Sequence, residues 1–67
     1  MATLGEAYPK EQARVRIVLG YYKEIGPAGA FGAAMIEDLL QRADKAAIEG
    51  DAVAMIRIFQ EMKEVKA

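Results

Sequence analysis

Apolar positions recur at intervals of three and four residues through most of this chain and nowhere alternate long enough to mark a strand, so the pattern reads as all-α. It predicts three helices, over about 9–25, 30–49 and 52–65. The first begins near Pro9, whose fixed φ and missing N–H suit the first helical position, and Gly26 supplies a left-handed stop after Ile25. Thr3 and Glu6 stand at capping-box spacing, but a helix started there meets Pro9. Residues 1–7 are therefore expected to form a flexible tail and residues 8–67 a single helical domain. The second helix starts between Ala28 and Phe31, its first turn weakened by Gly29 and Gly32. Gly50 then closes that helix and Asp51 caps the next, which makes the last two helices an antiparallel hairpin or a tight turn-connected pair.

Projected at about 100° per residue, each segment separates into faces. Val15, Val18, Leu19, Tyr21, Tyr22 and Ile25 form the apolar stripe of the first helix. Gly32, Met35, Ile36, Leu39, Leu40, Ala43, Ala46 and Ala47 form that of the second. The third carries two seams. Ala52, Ile56 and Phe59 suit an intramolecular core, whereas Met55, Ile58, Met62 and Val65 recur at heptad spacing and read as a surface for another helix. A chain of 67 residues has a small core, and without cysteine or histidine it cannot add a disulfide or a typical zinc site, so association is the expected supplement. The expected architecture is a small three-helix bundle that dimerises through its third helix. Met55, Ile58, Met62 and Val65 are its expected interface, with Ile17 and Ile48 as further exposed apolar contacts.

Composition narrows the chemistry. Histidine, cysteine, serine, asparagine and tryptophan are all missing, which removes most nucleophiles, proton shuttles and transition-metal ligands. No catalytic, cofactor or metal residue is assigned, and the chain reads as a non-enzyme. Glu37, Gln41 and Asp44 share one helical face, where a solvated charged surface is the plain reading. Asp38 and Arg42 have the spacing of an i,i+4 ion pair.

A net charge of −1 gives no overall field to attract polyanions or anionic lipid. Lys10, Arg14, Arg16 and Lys23, interleaved with tyrosines, are the candidates for nucleic-acid contact, and nucleic acid is the weaker class of partner. Gly26-Pro27-Ala28-Gly29 has the GXXG spacing of KH domains, but those need a sheet and basic neighbours; here the glycines read as an interhelical corner. The longest uncharged run, from Ile25 to Ile36, has twelve residues, too few to span a bilayer. The first residues lack a secretory pattern, and the absence of cysteine fits a reducing compartment, so a cytoplasmic location is expected.

From Tyr8-Pro9 through Ile25-Gly26-Pro27-Ala28-Gly29 to Glu49-Gly50-Asp51 and Met55-Ile56, the chain resembles small helical proteins encoded in prophages of Gram-negative bacteria. The resemblance implies a bacterial cytoplasm and a phage accessory factor that binds a host or phage protein and alters its activity by occupancy. The leading functional expectation is thus a self-associating protein-interaction module. A small nucleic-acid-binding or regulatory protein and a structural subunit of a phage assembly are the alternatives.

Overall fold

The computed structural model describes residues 3–66; Met1 and Ala2 of the expected tail lie outside them. Helix α1 spans Leu4–Glu24, α2 Ala30–Glu49 and α3 Ala52–Glu64, with a 3₁₀ turn over Gly26–Gly29 joining the first two. Each helix packs against both others, and no strand occurs among the described residues.

Helix α1 begins at Leu4, not at Pro9, so residues 4–7 are a helical turn and not a tail. Thr3 is the N-cap: its hydroxyl accepts the Glu6 N–H at 3.3 Å, while its carbonyl accepts the Ala7 N–H at 2.8 Å. Proline inside a helix costs about 3 kcal/mol, and docking of this turn offsets that cost. Tyr8 is 2 % exposed and its hydroxyl donates to the Ala43 carbonyl at 2.7 Å, while Leu4 packs against the same core. A buried aromatic of this kind is worth about 3–5 kcal/mol, so the turn holds despite Pro9. Burial, and secondarily the charge of Asp44, pushes the Tyr8 phenol above its ordinary pKa.

Gly26, at φ +80°, ends α1 as expected. Gly29 and Gly32 have a role beyond loosening the first turn of α2. A Cβ on Gly29 would overlap the Tyr22 carbonyl oxygen, and one on Gly32 would lie 2.5 Å from the Tyr22 ring. Both glycines let α2 lie directly against Tyr22. At the opposite corner Gly50, at φ +66°, donates to the Ala47 carbonyl at 3.2 Å and Asp51 donates to Ala46 at 3.0 Å, a Schellman closure. The Asp51 carboxylate then accepts the Ala54 N–H at 3.1 Å and starts α3.

The core joins Tyr8, Val15 and Val18 of α1 to Ile36, Leu39, Leu40, Ala43 and Ala46 of α2 and to Ile58 and Met62 of α3. This reverses the expected roles of the two seams on α3. Ile58 is 7 % and Met62 0 % exposed, and Met55 and Val65 pack half-buried against the same core. Ala52 and Ile56 are exposed and Phe59 is half-buried. Dimerisation through Met55, Ile58, Met62 and Val65 is therefore corrected: that seam is spent inside the protomer. Charges on the neighbouring helices flank the buried seam. Glu61 on one flank meets Arg42 of α2 at 3.2 Å, and Lys63 on the other acts on the Glu11 carboxylate of α1.

Candidate functional site

Helices α2 and α3 are antiparallel and share the Gly50-Asp51 corner, but α2 has 20 residues and α3 only 13. The seven extra residues of α2 reach about 10 Å beyond the end of its neighbour, at about 1.5 Å per residue. Phe31 and Met35, one turn apart in that overhang, are 79 % and 60 % exposed. Tyr21 and Ile25, one turn apart where α1 ends, are 51 % and 60 % exposed. The four-residue turn places both pairs at the same end of the bundle. Tyr21, Ile25 and Met35 were expected in the core stripes; they stand open because α3 stops short of them.

Between the overhang and the end of α3 lies a groove of about 400 Å³. Tyr22, Gly32, Ile36 and Leu39 contribute to its apolar lining, together with Met35 and Val65. Arg42, Glu61, Glu64 and Lys66 supply its polar lining. Arg42 is shared between Asp38 at 2.9 Å, the i,i+4 pair read from the sequence, and Glu61 at 3.2 Å. Arg42, Glu61, Glu64 and Lys66 are exposed, whereas Ile36 and Leu39 are buried, so the groove has an apolar floor and a polar rim.

The end of α3 is tied to α1. Arg14 donates to the carbonyls of Met62 at 2.6 Å and Val65 at 2.8 Å, and Tyr22 donates through its hydroxyl to Lys66 at 3.2 Å. A guanidinium on the last carbonyls of a helix satisfies unpaired acceptors and complements the negative end of the dipole. Glu11 holds that guanidinium by two bonds, 2.8 Å from Nε and 3.1 Å from Nη2. Hydrogen bonding from Arg14 pulls the Glu11 carboxyl below its ordinary value of 4.5 against the opposing pull of burial, with the charges of Arg14 and Lys63 adding to it. A carboxylate whose pKa is lower folded than unfolded stabilises the fold above the unfolded value and loses that contribution as the pH falls through the folded one. Glu11→Gln is accordingly expected to flatten the fall of melting temperature with pH below 4.5, as read by thermal melts across the acid range.

The basic residues considered for nucleic-acid contact are mostly engaged within the chain. Arg14 belongs to the clamp just described, Arg16 pairs with Asp44 at 3.2 Å and Lys23 with Glu37 at 2.9 Å, while Lys10 is exposed. Gln12 also donates to Asp44 at 2.8 Å. The face carrying Glu37 and Asp44 thus lines the α1–α2 seam with cross-helix pairs. Ile17 and Ile48 are exposed, at 59 % and 86 %. Ile17 lies one turn before Tyr21 and extends the open surface along α1; Ile48 lies near the other end of α2. The sequence pattern does not single out Phe31, Met35, Tyr21 and Ile25 as an exposed apolar group. The readable signal was the shortness of the third helical segment against the second.

Comparison with protein-family models, with curated proteins and with solved structures finds no match to this chain. Among the described residues no helix is long and apolar enough to cross a membrane.

Proposed function

We propose that this chain is a non-catalytic protein-interaction module that binds through the open end of its bundle. The observation that carries the reading is Phe31, 79 % exposed one turn from Met35 beside an apolar groove. Covering a large apolar side chain is worth about 1.5–3 kcal/mol, and clustered exposed apolar surface on a small domain marks contact sites. A phage-accessory role in a bacterial cytoplasm is the setting we propose; its support is the sequence resemblance.

A photo-crosslinking amino acid placed at Phe31, with a second placement at the exposed Lys45 as control, tests the reading in cells that make the chain naturally. The reading expects a defined adduct from position 31 that is absent from position 45. Equal or no adducts at the two positions would contradict it.

A further inference from the structure

We infer that the occupant of the open end is a second copy of this chain, related by a two-fold axis, with Phe31 of each protomer seated in the α2–α3 groove of the other. The inference rests on the binding reading above and names its partner.

Projection and cavity occur on the same face of one molecule. Phe31 stands out from α2, and Met35, one turn further along that helix, already lines the groove. About 400 Å³ of groove is ample for one aromatic side chain. A two-fold axis passing near these two turns brings each Phe31 to the other protomer's groove, the reciprocal arrangement an isologous interface requires.

Area and charge fit the same occupant. A stable dimer covers about 800 Å² on each partner. Of the 4658 Å² that this protomer exposes, that is roughly a sixth, and the apolar line continues along α1 through Ile17, Tyr21 and Ile25. The groove carries both signs, Arg42 and Lys66 beside Glu61 and Glu64, so a rotated copy meets no block of like charge. The net charge of −1 leaves little general repulsion between copies.

Analytical ultracentrifugation of the full chain, over concentrations spanning dissociation constants from about 1 μM to 1 mM, tests the inference. The expected mass rises to twice the protomer's 7.3 kDa. Phe31→Glu is expected to weaken the dimer on the order of 30-fold or more, with Ile48→Glu, at the other end of α2, leaving it unchanged. Both side chains are exposed, so circular dichroism of each variant is expected to match the parent; Phe31→Ala supplies the same comparison should Phe31→Glu lose helicity. A mass fixed at 7.3 kDa throughout, or a dimer weakened by Ile48→Glu and not by either Phe31 variant, overturns the inference. A chain that stays monomeric yet crosslinks from position 31 to another protein also overturns the second-copy occupant while leaving the binding reading in place. Loss of the adduct from position 31 removes both.

Discussion

Ile58→Lys is expected to abolish the cooperative fold. Ile58 is 7 % exposed in the cluster that joins all three helices, and no acidic side chain is buried there to receive an ammonium. A lysine forced into apolar surroundings loses its charge, and a pKa lowered by 3–5 units corresponds to about 4–7 kcal/mol. At roughly 0.05–0.15 kcal/mol per residue, a domain of this size has about 3–10 kcal/mol in total. The cost is therefore comparable with the whole stability. Far-ultraviolet circular dichroism should show loss of helix and no cooperative melt, whereas Ile58→Val, which removes one methylene, should cost only about 1 kcal/mol. A cooperative melt within a few degrees of the parent for Ile58→Lys would show that α3 faces another way.

Gly29→Ala is expected to be the most damaging single-methyl addition in the chain. Its new Cβ would overlap the Tyr22 carbonyl oxygen and crowd the Ile25 Cβ, which stands 3.3 Å away. The backbone oxygen belongs to the last turns of α1 and cannot swing aside as a flexible side chain would, so the corner itself must open. Overpacking costs about 1–3 kcal/mol in ordinary cores, and a backbone obstacle puts this site at the upper end. Gly20→Ala supplies the opposite sign. Gly20 lies inside α1 with nothing within 4 Å of its missing Cβ, so alanine there should stabilise by about 0.5–1 kcal/mol through helix propensity. Urea titrations of the two variants beside the parent would measure both effects, and equal shifts of the same sign would contradict the corner as described.

Where the backbone itself announces a boundary, local residues suffice to read it. Gly26 and the Gly50-Asp51 pair end and start helices through φ and side-chain capping alone, and both corners stand where the pattern places them. The start of α1 is different, because Pro9 argues locally for a boundary and long-range packing, Tyr8 on Ala43 with Leu4 against the same core, overrides it. Likewise the two seams of α3 are both apolar, and the one that is buried is the one that meets Val15, Val18, Leu39 and Leu40 of the other helices, a match that α3 alone does not display. The open end could be partly inferred from helix lengths. Which residues it leaves bare could not, since Tyr21, Ile25 and Met35 carry the periodicity of core positions and lack only a neighbour.

The measurement that tests the account most directly compares Ile58→Lys and Phe31→Glu in one series, recording helicity and solution mass for each. The account predicts that Ile58→Lys loses its fold, whereas Phe31→Glu keeps the parent's helicity and loses association. If Ile58→Lys stays folded and becomes monomeric while Phe31→Glu still associates as the parent does, then α3 presents the binding surface and the open end does not.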